Sequence, residues 1–226
     1  AAGGAGDNRV LENNISITPA NIVRAWDLAK NLDIKVCIFE VSLGGTGMAD
    51  IGILTNLAEN YPIANNTKTA VEAKSQIIKS KIVACEYDAY KSNYSNFHEK
   101  IVTFGYGKNK VTVNVGASNV IFGLNETSFK VVVNNLKTIH SGYLSTEFNI
   151  TTFAPAEHHL NNVLAAICTS LIFGVPIKNI QKGLKNYRGI KGRTSIRTIG
   201  NVTIIEEINP GINVKAIEKS FKMISQ

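Results

Sequence analysis

The chain has 226 residues, 44% of them hydrophobic, 18% charged and 8% aromatic, with a formal net charge of +7. That length suits one large domain or two small ones, and with mean hydropathy near zero the apolar share can build a sizeable core, which excludes a chain that stays disordered. No run approaches the ~18 apolar residues of a membrane span, and Ala1–Gly6, with neither a basic flank nor an apolar stretch, does not read as a signal peptide. A globular, cytoplasmic protein with no membrane partner is expected.

In chain order, Thr18-Pro19 opens an amphipathic helix over 21–30. Residues 35–41, Lys-Val-Cys-Ile-Phe-Glu-Val, form a near-continuous apolar run, the pattern of a central strand covered on both faces. A second strand is expected at 51–55, a helix at 67–79, and further strands at 81–85 and 100–104. Strands separated by helical stretches imply an α/β fold with a mostly parallel sheet and helices on both faces. From Lys110 to Phe153 alternation dominates, with strands at 111–115 and 129–133, and this region reads as a small β subdomain or insert. Helices at 157–173, closed by Gly174 and Pro176, and at 178–187 follow. After a loop over 189–194 come a strand at 201–206 and a last helix capped by Asn213. The Gly/Ala-rich start reads as linker, and the final strand and helix begin a βα unit without building a sheet. A piece of a longer protein is expected.

The positive excess, 24 Lys and Arg against 17 Asp and Glu, is densest from Lys178 to Arg197. It suits a small polyanion such as ATP, a nucleic acid, an anionic membrane face, or simply a solvated lysine-rich surface. No RNA-binding aromatic signature accompanies it, so no nucleic-acid partner is expected. Cys37, Cys85 and Cys168 are odd in number and sit in apolar runs, as small buried hydrophobes of a reducing compartment do.

Several polar residues stand where chemistry is possible. Glu40 ends the first apolar strand, just before Gly44-Gly-Thr-Gly47. Ligands of open α/β sheets gather at the carboxyl ends of strands, where a carboxylate can hold a metal ion or orient a water; the plainer reading is a solvated strand-end side chain. The glycine stretch does not match Gly-x-x-x-x-Gly-Lys-Ser/Thr, and neither does any other segment. Thr55-Asn56 ends the next strand, and Lys74 lies on a helix within Glu72-Ala-Lys-Ser75, where a lone lysine is ordinarily a surface cation. His158 and His159 are adjacent on a helix and so point about 100° apart, which does not suit one shared metal. Capping, hydrogen bonding to a base or ribose, or a plain surface pair fit them better. Arg193, between Gly192 and Thr194, can clamp a phosphate bidentately. Glu206-Glu207, ahead of Asn209-Pro-Gly211, repeats the logic of Glu40.

Taken in order from about Asn14 to Ala216, these features resemble the Mur ligase superfamily, ATP-dependent ligases that join amines to carboxylates. Glu40-Val-Ser42 is similar to the Glu-x-Ser-Ser strand end, whose Glu binds magnesium. Thr55-Asn56 with Glu59-Asn60 is similar to Thr-Asn…Asp-His, with Asn60 where the family has a magnesium-binding His. Glu72-Ala-Lys74 resembles the Ala-Lys whose lysine is carbamylated and helps hold magnesium. His158-His-Leu-Asn-Asn-Val-Leu-Ala-Ala166 resembles the His-Asn-x-x-Asn-Ala-Leu-Ala-Ala helix start near the nucleotide. Gly189-Ile-Lys-Gly-Arg193 is similar to Gly-Val-x-Gly-Arg, and Glu206-Glu207…Asn209-Pro210 to Asp-Asp-Tyr-Ala-His-Asn-Pro without its His.

The resemblance implies a central ATP-binding domain over residues 1–188, with a β-rich insert around 108–154, and the start of a C-terminal domain over 189–226; the P-loop, the first domain and most of the last would lie outside this chain. It implies ATP and Mg2+ as cofactors, Glu40 and carbamylated Lys74 as catalytic metal ligands, and Asn56, His158, Asn162, Arg193 and Glu207 around the nucleotide. The reaction would pass through an acyl phosphate of a small-molecule carboxylate. Ser16-Ile-Thr-Pro-Ala20, Glu40 to Gly47, Tyr61-Pro-Ile-Ala64 and Glu207-Ile-Asn-Pro-Gly211 look most like a methanogen branch acting on a nickel tetrapyrrole. A peptide ligase of the pseudomurein type, and a non-catalytic binding module, are the alternatives.

Overall fold

The computed structural model describes residues 2–3, 8–9, 19–41, 44–57, 60–107, 112–190, 193–207, 218 and 221. Two compact units divide the chain, Ala1–Gly52 with Leu57–Lys81, and Ile53–Asn56 with Ile82–Gln226.

The first unit carries a short antiparallel pair, β1 (Ala2–Gly3) and β2 (Asn8–Arg9), then α1 (Pro19–Lys30), as the amphipathic pattern predicts. Residues 36–41 form no strand, contrary to the sequence expectation, and Ile38 is 88% exposed. An apolar run of that kind becomes a strand only when a neighbouring strand bonds its backbone, and among the described residues it has none. The run at β3 (Ile51–Leu54) is a strand as expected.

A small hairpin, β4 (Pro62–Ile63) and β5 (Lys68–Thr69), replaces the start of the helix expected from residue 67. Its turn uses left-handed backbone at Ala64, Asn65 and Asn66. The helix α2 (Ala70–Lys74) begins later because Thr69 is its N-cap: Glu72 N donates to Thr69 Oγ1, and Thr69 N donates to Glu72 Oε2 at 2.6 Å. These bonds also hold the Glu72 carboxyl below its ordinary range. A 3₁₀ turn over Ser75–Lys79 continues it. The glycine-rich stretch packs against that turn. A Cβ on Gly47 would lie 2.5 Å from Lys79 Cβ, and one on Gly45 3.2 Å from Ile77 N. Gly45 and Gly47 thus allow close backbone approach to that turn.

The second unit runs β6 (Ile82–Glu86), α3 (Tyr87–Asn93), β7 (Ile101–Gly105), β8 (Val115–Ile121), β9 (Thr127–Lys137), β10 (Tyr143–Thr152), α4 (Glu157–Phe173), α5 (Ile177–Asn186), β11 (Thr194–Ile199) and β12 (Val202–Glu207). Its sheet has the order β10-β9-β8-β7-β6-β3, with Ile53 and Leu54 of β3 belonging to this unit. Strands β6, β7 and β8 pair in parallel, and β8, β9 and β10 antiparallel, so the alternating region after Gly105 forms the antiparallel half of the same sheet. Every residue of β6 and β7 is buried; since successive side chains point to opposite faces, both faces are covered, with α3 and α4 packed there.

The strand expected at 111–115 starts instead at Val115. Asn114 sets that start, because its side chain takes over the ladder: Thr103 N donates to Asn114 Oδ1 at 2.9 Å, and Asn114 Nδ2 donates to Asn134 O at 3.0 Å. Helix α4 runs over the expected residues and is buried along Leu160, Leu164, Ile167, Leu171 and Ile172. Gly174, at φ +87°, closes it in the left-handed conformation, with Gly174 N donating to Leu171 O and Val175 N to Ser170 O. Helix α5 lies along β10, where Thr152 Oγ1 donates to Leu184 O at 2.9 Å. Strand β11 has no counterpart in the sequence reading; it pairs with β12 through a turn at Gly200. The helix expected from Asn213 lies outside the described residues apart from 218 and 221. Cys85 and Cys168 are buried as expected, which pushes the Cys85 thiol up to about 12 and that of Cys168 higher still, whereas Cys37 is only half-buried.

Candidate functional site

The start of α4 is built into the second unit from both sides. The segment Phe153–Ala156 leading into it is buried, and Tyr106 N, just past β7, donates to Asn161 Oδ1 at 3.0 Å. The side-chain bond holds the first turns of α4 at the carboxyl end of a parallel strand, where open α/β sheets take their ligands. There a cleft of about 470 Å³ opens, walled by His158, His159, Asn162, Val163 and Ala166 on α4. Phe153, Leu184 and Tyr187 form its apolar floor, and Gly189, Ile190, Arg193 and Thr194 its outer side.

Each wall has a local cause. The rings of Phe153 and Tyr187 meet edge to face at 6.4 Å between centroids, and burial pushes the Tyr187 phenol up. Gly189 sits at φ +90°, where a Cβ would lie 2.9 Å from Phe153 Cε1, so only glycine lets the chain turn past that ring. The two histidines do not diverge as helix geometry alone suggests; their ring centroids lie 3.9 Å apart, tilted by 40°, on the same wall. His159 Nε2 is hydrogen-bonded to Thr194 Oγ1 at 2.9 Å. Burial, and then the neighbouring His158, bring the His159 pKa down to about 4. His159 is therefore neutral in the folded chain at neutral pH.

That shift has a measurable consequence. As pH falls below 6.5 the unfolded chain protonates this ring, while the folded chain resists until about pH 4. The stability tied to His159 is thus full above pH 6.5 and is lost progressively down to about 4. Thermal melts across that window are expected to show a shallower acid slope for His159→Gln than for the unaltered chain, and parallel slopes would refute the assignment.

The cleft brings together His158, Asn162 and Arg193. Flat apolar walls with a guanidinium and amide beside them can take a heterocycle and an attached anion. Sequence reasoning missed Phe153, Ala166 and Tyr187. Ala166 had a signal, being one helical turn beyond Asn162; the other two come from a strand end and a helix end that only folding brings together.

The other expected residues lie elsewhere. Asn56, exposed after β3, does not line the cleft. Glu207 ends β12 opposite Thr194 in register, and its side chain lies outside the described residues. The neighbouring Glu206 is engaged within the hairpin, accepting from Ser195 Oγ at 2.9 Å and Arg197 Nη2 at 3.0 Å. In the first unit Glu40 is exposed on residues 36–41, and Lys74 is the half-buried last residue of α2. Asn60 spends its amide oxygen on the helix: Val71 N donates to Asn60 Oδ1 at 3.2 Å, beside Ala70 N to Tyr61 O at 2.9 Å. Magnesium wants oxygen donors, so Glu40 suits it as it stands and Lys74 only as a carbamate. Among the described residues no group of three or more His, Cys, Asp or Glu can hold a metal, and no helix is long and apolar enough to cross a membrane.

No protein-family model matches the chain. It is 25% identical over 232 residues to a coenzyme F(430) synthetase of Methanosarcina acetivorans, covering 96% of this chain and 48% of that protein. It is 26% identical over 166 residues to a UDP-N-acetylmuramate–L-alanine ligase of Clostridium tetani, covering 70% and 34%. Among solved structures, a MurF from Acinetobacter baumannii matches with TM-score 0.61 at 16% identity, over 78% of this chain and 37% of that one. A pseudomurein peptide ligase type C from Methanothermus fervidus matches with TM-score 0.57 at 15% identity, over 80% and 44%. The fold is that of the Mur ligases, and in sequence the chain resembles coenzyme F(430) synthetases and Mur ligases. The chain spans half or less of the length of these relatives.

Proposed function

We propose that this chain is part of an ATP-dependent, carboxylate-activating ligase and that its cleft holds the adenine nucleotide. The observation that carries this reading is convergence: three residues matched to nucleotide positions by sequence motif, from a helix start and a distant loop, line one cleft. The base would lie against Phe153 and Tyr187, with His158 and Asn162 bonding its polar edge or the ribose and Arg193 meeting a phosphate. Asn56 and Glu207 would complete the surroundings, and 189–226 would open a second domain after a central one over 1–188.

In the reaction a substrate carboxylate oxygen attacks the γ-phosphorus of ATP, the bond to the β-phosphate oxygen breaks, and ADP leaves an acyl phosphate. A nucleophile then displaces inorganic phosphate. Magnesium, held by Glu40 and carbamylated Lys74, would supply charge neutralisation at the transferring phosphoryl group. The likeness to coenzyme F(430) synthetase over nearly the whole chain favours a nickel tetrapyrrole as the carboxylate and a ring-closing carbon as the nucleophile. The likeness in fold to a pseudomurein peptide ligase supports the second reading, amide formation with an amino acid.

The test is phosphate release by the complete gene product given ATP with either a nickel tetrapyrrole carboxylate or a set of amino acids and peptide precursors. Release driven by the tetrapyrrole alone is expected. Release that needs an added amino acid moves the assignment to a peptide ligase, and retained nucleotide binding without any release leaves a binding module.

A further inference from the structure

We infer that His159 is a positioning residue for Arg193, acting through Thr194 across the mouth of the cleft; the inference rests on the nucleotide reading given above. His159 stands on the first turn of α4, where the motif that this helix resembles has asparagine. Its Nε2 lies 2.9 Å from Thr194 Oγ1, and Thr194 is only 7% exposed although its neighbour Arg193 is exposed. Thr194 is the first residue of β11, so this bond fixes the point where the chain passes from the cleft wall into the hairpin. On the other side of Arg193 its own N–H donates to Ile190 O at 3.0 Å. The backbone of an exposed arginine is thus pinned to the cleft, and the pin is a side chain of the opposite wall.

The chemistry of the ring suits that task. Half-buried and neutral, its bonded nitrogen can donate to the Thr194 hydroxyl or accept from it, and it places no charge beside the guanidinium. A pinned backbone leaves Arg193 less freedom to lose when it closes on an anion, so the gain belongs to ligands that carry phosphate. The adenosine moiety alone, seated against the apolar walls, should be nearly indifferent.

The experiment titrates the complete gene product calorimetrically with ADP and with adenosine, in the unaltered form and in His159→Ala, His159→Gln, Arg193→Ala and the His159→Ala/Arg193→Ala pair. For His159→Ala, ADP affinity is expected to fall about three- to tenfold and adenosine affinity less than about twofold, in the usual range of pairwise coupling. Once Arg193 is alanine the His159 change should cost nothing further, and glutamine, which keeps a hydrogen-bonding end, should restore most of the loss. Equal losses for both ligands, or additive losses in the pair, would overturn the inference. Hydrogen exchange over residues 190–196 is read in parallel. If the unaltered complete protein binds neither ligand, the nucleotide reading falls, and exchange alone decides: faster exchange in His159→Ala upholds the pin, unchanged exchange removes it.

Discussion

Substituting tryptophan for Ala166 is expected to abolish adenine-nucleotide binding, by more than about a hundredfold, and to leave the fold intact. Ala166 faces the cleft from α4, one turn beyond Asn162, and is exposed there. An indole brings 150–250 Å² of surface, about what a bound base would occupy. It would seat itself against Phe153 and Tyr187, in the space of about 470 Å³ that the ligand needs. The loss of a whole base-stacking site plus displacement of the Asn162 contact makes the hundredfold figure, about 2.7 kcal/mol, a lower bound. ADP titration of the complete gene product against a parallel thermal melt checks it. An altered chain that melts as before and still binds ADP would place the nucleotide elsewhere.

Shortening Leu164 to alanine should act on the opposite face of the same helix and destabilise the whole second unit. Leu164 is fully buried, at 0% exposure, among residues that seat α4 on the sheet. Deleting its buried methyls removes transfer free energy and leaves a cavity, together about 2–5 kcal/mol. For a chain of this length each kcal/mol moves the melting temperature by about 2–4 °C, so a fall of roughly 4–20 °C is expected. Calorimetry reads it directly, and a fall below about 2 °C would mean that α4 is not the keystone of this core. The two substitutions lie two residues apart in sequence, yet one should change binding without stability and the other stability without direct contact to ligand.

The contrast between those neighbours marks the limit of what periodicity can tell. Helix α4 was legible throughout, because its apolar spacing, its Gly174 stop and Pro176 are local signals. The helix 67–79 was legible in position but not in form. Its capping box at Thr69 and Glu72 was present in the sequence, yet the competing hairpin over 62–69 takes up the residues before it. The apolar run 35–41 shows the reverse failure. Its composition promised a central strand, but a strand is completed by partners, and no local pattern states whether they are there. Asn114 sets where β8 begins through bonds to residues 11 and 20 positions away, which no short window on the sequence contains.

The candidate site divides in the same way. The motif order grouped Asn56, His158, Asn162, Arg193 and Glu207 around a nucleotide, and it marked Glu40 and Lys74 as a second group. Tertiary structure decided that three of the first group, His158, Asn162 and Arg193, share a cleft whose floor is Phe153 and Tyr187, and that Asn60 caps α2. It also decided that the two adjacent histidines face the same way. By itself the sequence determined the α/β class, most of the element positions and the family resemblance, since each follows from spacing along the chain. Which side chains meet depends on contacts between residues tens of positions apart, and those are settled by packing, whose free energy is shared across the whole core.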